Sequence, residues 1–334
     1  LDFETATRTV GRLRNNLTSI VKGHEEQIDL LIVAILARGH VLLESVPGEG
    51  KTLLASTLAA SLEGLSAGRV SGQPTLKPSD LLGAEIATDV PGEFKLIKGP
   101  VFNNIVLFDE LNRTDPRTQS ALLEAMQERQ VTIGDTSIPL QQPFHVIATQ
   151  NPLSHEGTWE LDAAAKQRFL LKIDWTFSSR EVEIQFAKQS KTFIHENLAS
   201  LQPAMTGAEL QTIQTALTDL VELPEEIIHL MTAVIVATRP SDPTYPVEAF
   251  EASGYGAEVI SPSGGASSRT TAFWPPLLRA HAFYRGRRVV APIDVFATAR
   301  ALLNHRIETS YPVDVNELLN LILAERGYGY DYRA

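Results

Sequence analysis

Two short segments of this sequence carry residue types that do phosphate chemistry. The first is Ser45-Val46-Pro47-Gly48-Glu49-Gly50-Lys51-Thr52, where two glycines precede a Lys-Thr pair. Glycine lets the backbone approach a phosphate closely, a lysine reaches the β and γ phosphates, and a threonine hydroxyl ligates Mg2+. Gly48, Glu49, Gly50, Lys51, Thr52 and Leu53 are therefore the expected nucleotide-binding residues, with Thr52 also a metal ligand. The alternative is a plain glycine-rich turn, and Ser45 stands where the pattern normally opens with Gly. The second segment is Ile105-Val106-Leu107-Phe108-Asp109-Glu110, an apolar run that ends in two acids. Asp109 would hold the metal through its water shell, and Glu110 would orient and polarise an attacking water, as in-line phosphoryl transfer requires. Taken together they predict hydrolysis of ATP with Mg2+ as cofactor.

Such residues work only if the chain brings them to one edge of a rigid frame. Val41–Leu43, a glycine-rich turn and the helical stretch Thr52–Leu62 give a strand, loop and helix in that order. The first helical amides and the positive end of the helix dipole then face the loop, which makes an anion seat. Short apolar runs recur at 105–108, 145–149 and 169–173, separated by helical or turn-rich sequence. That alternation predicts an α/β fold with a parallel sheet covered on both faces, and ligands bind outside the carboxyl ends of its strands. Upstream, Ile28, Leu31, Ile32, Ile35 and Leu36 recur at helical spacing and read as one buried stripe. Val131, Ile133, Ile138 and Leu140 alternate around Gly134-Asp135, which predicts a β-hairpin over 130–142.

After Phe177 the strand signals stop. Thr206 and Glu209 form a capping-box pattern, Pro224 suits the first turn of a further helix, and a helical second domain is expected over 178–334 after a nucleotide-binding domain over 1–177. The stretch Pro240–Ser268, rich in Pro, Gly and Ser with four acids and no Lys or Arg, reads as a long loop or mobile insertion.

Bulk properties narrow the function classes. A length of 334 residues suggests about two domains, and 43% hydrophobic with 21% charged residues is ordinary for a globular chain. The longest apolar run, Leu30–Ala37, is far too short to span a bilayer, so no membrane insertion is expected. Cysteine is absent, which removes disulfides and thiolate metal sites, and a cytoplasmic location is the default expectation. The opening at Leu1 instead of Met is expected of a processed or trimmed chain. A net charge of −11 argues against a surface built to coat nucleic acid, and the densest basic cluster is only Arg285, Arg287 and Arg288. The eight histidines show no i, i+4 pair, so a metalloenzyme lacks its ligand spacing.

With those residues in place, the chain resembles the MoxR family of AAA+ ATPases from about Val21 to Ile307. The matching blocks are Val21–Glu26, the Gly48–Thr52 loop, Lys77–Gly83, Asp109–Arg113, Thr118–Glu128, Ala148–Pro152 and Gly265–Arg269. The resemblance implies an αβα P-loop sandwich of AAA+ type followed by a small all-α lid domain, with the nucleotide between them and usually a hexameric ring. It makes 130–142 the pre-sensor 1 hairpin and Asn151 the sensor 1 residue that helps place the water. It assigns Arg168 as the arginine finger that reaches a neighbouring subunit's ATP, although Gln167 and Ala163-Ala164-Ala165 depart from the usual flanks. It assigns Arg269 as the sensor 2 arginine of the lid, where Pro275 and Pro276 are expected to shorten or kink the helix. His24 resembles the residue whose backbone lies by adenine, and Arg113 is a lesser interface candidate. The implied partners are further copies of the chain and a protein client, possession of a von Willebrand factor A domain being common among such partners.

Three readings compete. The leading one is a ring ATPase that remodels a protein. A nucleic-acid motor is the second, because related helicases insert a similar hairpin towards DNA, but Gln130–Leu140 holds no Lys or Arg. A slowly turning nucleotide-switched scaffold is the third, and intact Lys51, Glu110 and Asn151 count against it. Asn112-Arg113-Thr114-Asp115 resembles a guanine-reading pattern, but Arg replaces its Lys and it follows the acidic strand too closely to reach a base, so ATP is favoured.

Overall fold

The computed structural model describes residues 2–45, 50–89, 94–134, 136–151, 159–188, 198 and 200–325. Gly48 and Glu49 of the expected phosphate loop and Asp135 of the expected hairpin turn lie outside the described residues. The chain opens with α1 (Phe3–Ile20), α2 (Glu25–Leu36), β1 (Val41–Ser45), α3 (Lys51–Ser61), β2 (Leu62–Glu63) and β3 (Ala67–Ser71). It continues with α4 (Pro78–Leu82), β4 (Gly83–Ala87), β5 (Phe94–Lys98), β6 (Ile105–Asp109), α5 (Pro116–Glu128), β7 (Gln130–Ile133) and β8 (Thr136–Pro139). Then come β9 (His145–Gln150), α6 (Ala163–Lys166), β10 (Leu171–Trp175), α7 (Arg180–Lys188), β11 (Met205–Thr206) and α8 (Gly207–Leu220). The remainder is helical, with α9 (Glu225–Val236), α10 (Val247–Ala252), α11 (Ser268–Tyr284), α12 (Pro292–Leu303) and α13 (Val315–Glu325).

Five strands form one sheet in the order β10-β1-β9-β6-β3, and β1–β9, β9–β6 and β6–β3 pair in parallel. Ile105–Phe108 of β6 are all buried, as expected of a strand covered on both faces, and burying a side chain such as Phe108 contributes about 1.5–3 kcal/mol. Register decides what meets at the carboxyl edge: Phe108 lies opposite Ala148 and Ser71 opposite Asp109, so the acids of β6 sit between the ends of β3 and β9. Helix α3 packs against β6, which sets the lysine-threonine helix start beside the acidic strand. Helix α2 differs from the single stripe expected of it. Ile28 and all of Leu31–Leu36 are buried, because the apolar run is covered on most faces.

Gln130–Ile133 and Thr136–Pro139 pair antiparallel, with Gly134 at φ +57° in the turn. A second antiparallel pair, β4 with β5, was not anticipated. Its side chains are largely exposed, so the apolar alternation that marks a half-buried strand is missing. Gly83 at its base has φ +96°, and a Cβ there would lie 2.1 Å from the Ile97 carbonyl oxygen.

The described residues divide into two compact units, Leu1–Phe169 with Ile173–Ala216 and Leu170–Lys172 with Leu217–Ala334. The division thus falls well beyond the expected boundary after residue 177. Strand β11 pairs with β2, Gln214 Nε2 donates to the Ile35 carbonyl at 2.7 Å, and Arg38 donates to Thr215 Oγ1 at 2.6 Å. These bonds tie the start of α8 to the first unit. The Thr206–Glu209 capping box forms, with Glu209 N donating to Thr206 Oγ1 at 3.1 Å and Thr206 N to Glu209 Oε2 at 2.7 Å.

In the second unit the stretch 240–268 is not a bare loop. It contains α10, and Phe250, Val259 and Ile260 are fully buried. Tyr245 meets Phe250 edge-on at 5.2 Å, and Ser261 N donates to the Glu308 carbonyl at 2.9 Å. Its Pro and Gly content hid anchors that only packing reveals. Helix α11 likewise runs from Ser268 to Tyr284 with Pro275 and Pro276 inside it, contrary to the shortening expected. Trp274, Leu277 and Leu278 are fully buried and Trp274 Nε1 donates to Thr298 Oγ1 at 2.9 Å, which offsets the two missing amides. Arg287, from the densest basic cluster, turns inward to buried Asp294, at 2.6 and 2.5 Å. Burial pushes the Asp294 carboxyl up, but bonds from His281, Arg287 and the Ala291 amide outweigh it and hold the group below its usual range. No helix among the described residues is long and apolar enough to cross a membrane.

Candidate nucleotide and hydrolysis site

The site begins where α3 begins. Gly50 caps the helix in the left-handed conformation (φ +75°), which glycine adopts without strain. Lys51 is the first helical residue and is buried to 7% exposure, with Thr52 and Leu53 half-buried behind it. The first amides of a helix are themselves a seat for negative charge.

The acidic strand delivers its two carboxylates into a network of hydrogen bonds. Thr149, fully buried on β9, donates from Oγ1 to Asp109 Oδ1 at 2.7 Å and accepts from the Glu110 amide at 2.8 Å. One hydroxyl thus fixes the first acid by its side chain and the second by its backbone. Asp109 Oδ2 accepts from Arg69 Nη2 on β3 at 3.2 Å. Glu110 takes up a left-handed backbone (φ +55°, ψ +49°), an uncommon conformation for a residue with a side chain. Its Oε1 accepts from Asn151 Nδ2 at 2.9 Å and its Oε2 from Arg113 Nη1 at 3.1 Å. Gly72 passes so close beneath that a Cβ would lie 2.1 Å from the Glu110 carbonyl oxygen.

Asn151 is 5% exposed, and its Oδ1 is a buried acceptor with no donor among the described residues. A buried orphan acceptor costs about 1–3 kcal/mol. Placed beside Glu110, it fits a water molecule that gives one hydrogen to the carboxylate and one to the amide oxygen. The amides at the start of α3, Lys51, the Thr52 hydroxyl and the Asp109 carboxylate form a donor and ligand set suited to a triphosphate with a divalent cation. Oxygen ligands and a cationic side chain beside helix amides fit that pair of groups, whereas no cluster of three metal-binding side chains occurs among the described residues.

Other expected residues are placed differently. The His24 ring is buried and stacked on Trp175 (centroids 4.2 Å, planes at 26°), so this side chain packs. Arg168 follows α6 half-buried, with its Nε buried and unpartnered among the described residues. Arg269 is exposed as the second residue of α11, in the second unit. Burial and the charge of Arg269 together lower the Arg306 guanidinium to about 9. Lys51, Asp109, Glu110 and Asn151 thus belong to one unit and Arg269 to the other.

Thr149, Asn112 and Arg69 went unrecognised as site residues in the sequence. Thr149 and Asn112 lie inside segments that carried the family resemblance, but their roles depend on strand register, which no spacing within one segment reveals. Arg69 gave no signal at all.

Comparison with known proteins agrees with this geometry. The family described as the ATPase family associated with various cellular activities (AAA) matches residues 40–171, and the AAA lid domain matches residues 262–320. The chain is 33% identical over 318 residues to Chaperone MoxR1 of Mycobacterium tuberculosis, covering 95% of this chain and 80% of that protein. It is 28% identical over 313 residues to Protein MoxR of Methylorubrum extorquens, covering 89% and 86% respectively. The crystal structure of a candidate ATPase from Cytophaga hutchinsonii matches with a TM-score of 0.85 at 34% identity, over 97% of this chain and 96% of that one. A parallel sheet in this strand order, an acidic pair at its carboxyl edge, a lysine at the helix start and matches along nearly the whole length converge, and the chain belongs to the MoxR branch of the AAA+ ATPases.

Proposed function

We propose that this chain hydrolyses Mg-ATP within a homo-oligomeric ring, a hexamer, and uses the cycle to remodel or mature a protein partner in the cytoplasm. The observation that carries the hydrolytic part is Glu110. Its carboxylate is aimed by Asn151 and Arg113, while the Asn151 Oδ1 acceptor has no donor among the described residues. A carboxylate held by two donors keeps one orientation, so it can polarise a water without first reorganising. Thr149 fixes the orientation of the Asp109 carboxylate by donating to its Oδ1. Bound Mg2+ would neutralise charge on the phosphates, held through Thr52 and Asp109. Lys51 would bind the β and γ phosphates. Arg168 would complete a neighbouring subunit's site, and Arg269 would contact the γ phosphate from the lid.

The remodelling part leans on kinship, since the Mycobacterium relative is named a chaperone. A von Willebrand factor A domain protein is the proposed kind of partner. The inward turn of Arg287 and the hairpin's lack of basic residues weigh against a nucleic-acid track. The test is Glu110→Gln, which should bind Mg-ATP, lose turnover and retain a protein partner on an affinity resin. Absence of Mg-ATP affinity, or parental turnover in Lys51→Ala, would overturn the hydrolytic reading. Turnover stimulated by DNA and lost at high salt would replace the protein client with a nucleic acid.

A further inference from the structure

Asn112, on the single turn after Glu110, is 1% exposed and spends every polar atom of its side chain on one neighbour. Its Nδ2 donates to the Asn151 carbonyl at 3.0 Å, and its Oδ1 accepts from the Asn151 amide at 3.2 Å. The two bonds form a closed ring with the backbone of Asn151, as a neighbouring strand would. Its own carbonyl accepts from the Trp159 amide at 2.6 Å. Asn151 and Trp159, eight positions apart in sequence, are therefore both held by this one residue.

We propose that Asn112 is a positioning residue for ATP hydrolysis, acting through Asn151. The inference rests on the ATPase reading above. A strand end is normally free to fray once its ladder stops, and β9 ends at Gln150. The ring of bonds from Asn112 extends that ladder by one residue, and that residue is the one whose Nδ2 holds Glu110 Oε1. Asn112 and Glu110 are also two residues apart in the same turn, so the acid and the group that aims it are fixed to a common piece of backbone. Only an amide side chain supplies one donor and one acceptor at the spacing of a peptide group. Aspartate keeps the acceptor but sets an oxygen against the Asn151 carbonyl oxygen.

The test measures Mg-ATP affinity and turnover separately in Asn112→Asp, Asn112→Ala, Asn151→Ala and the double variant Asn112→Ala/Asn151→Ala. Loss of a buried, paired hydrogen bond predicts turnover reduced roughly ten- to hundredfold in either Asn112 variant, with affinity changed less than about threefold. The double variant should turn over no more slowly than Asn151→Ala, because Asn112 has nothing left to position. Parental turnover in Asn112→Asp, or losses that multiply in the double variant, would overturn the proposal. So would failure of both Asn112 variants to fold, which would make the residue a general packing element. If the parent itself binds no Mg-ATP, the ATPase reading fails; if Glu110-dependent turnover is present and only the Asn112 predictions fail, this inference falls alone.

Discussion

Replacing Thr149 with valine removes one hydroxyl and leaves a side chain of similar shape in a fully buried place. Two bonds go with it, the donation to Asp109 Oδ1 at 2.7 Å and the acceptance from the Glu110 amide at 2.8 Å. A hydrogen bond to a charged group contributes about 1.5–3 kcal/mol, and a buried amide left without a partner costs about 1–3 kcal/mol. The sum, about 2.5–6 kcal/mol, is a large share of the ~5–15 kcal/mol that holds a typical domain together. The left-handed backbone at Glu110 loses its anchor at the same time, so the carboxylate should spend less time where Asn151 holds it. Thr149→Val is therefore expected to lower the urea midpoint of the first unit and to reduce turnover at saturating Mg-ATP roughly ten- to hundredfold. Thr149→Ser keeps the hydroxyl and should stay within about threefold of the parent. The assay pairs urea unfolding, followed by exchange of the β6 and β9 amides, with steady-state phosphate release. Parental turnover and an unchanged midpoint in Thr149→Val would refute the claim that this hydroxyl organises the acidic pair.

Two further outcomes follow from groups near the same sheet. His40 and His145 are buried, and burial pushes them down to about 3 and about 4 from 6.5; the His145 and Arg129 charges lower His40 further against the pull of the Met126 backbone, and Arg129 and Arg38 lower His145 further against the pull of the Gly39 carbonyl. Val146 N donates to His40 Nδ1 and His145 Nδ1 faces the Gly39 carbonyl, so both rings are held neutral in fixed tautomers. Unfolding lets both protonate below 6.5, so stability is full above that pH and falls as pH drops towards the folded values. Two such groups give a loss of about 4 kcal/mol by about pH 5, and a urea midpoint that does not move between about pH 7.5 and 5 would contradict it. At the site itself, Arg69 occupies Asp109 Oδ2 where a metal's water shell would bond, and this half-exposed pair is worth only ~0.2–1 kcal/mol. Arg69→Gln should therefore lower the Mg2+ concentration for half-maximal turnover about two- to fourfold with the maximal rate unchanged, and a raised requirement would show that Arg69 assists the metal.

Much of this protein was legible in its sequence because its chemistry is carried by local patterns. A glycine-rich turn before Lys51-Thr52 and an apolar strand ending in Asp109-Glu110 each suggest an element and its chemistry within about ten residues, whereas Asn151 stood out only through resemblance to the family. Apolar runs alternating with helices are enough to imply a parallel sheet, since only a strand covered on both faces tolerates such a run. Relations between segments were not legible. Register placed Thr149 beside Asp109 and let Asn112 pair with Asn151, and register is a property of two strands that neither encodes alone. The domain boundary moved for the same reason, because bonds from Gln214 and β11 to residues far upstream outweigh the local change from strand to helix signals. Composition misled where burial overrode propensity: Pro275 and Pro276 sit inside a helix, and Pro240–Ser268 holds one, because Trp274 and Phe250 are locked in a core assembled from distant parts of the chain.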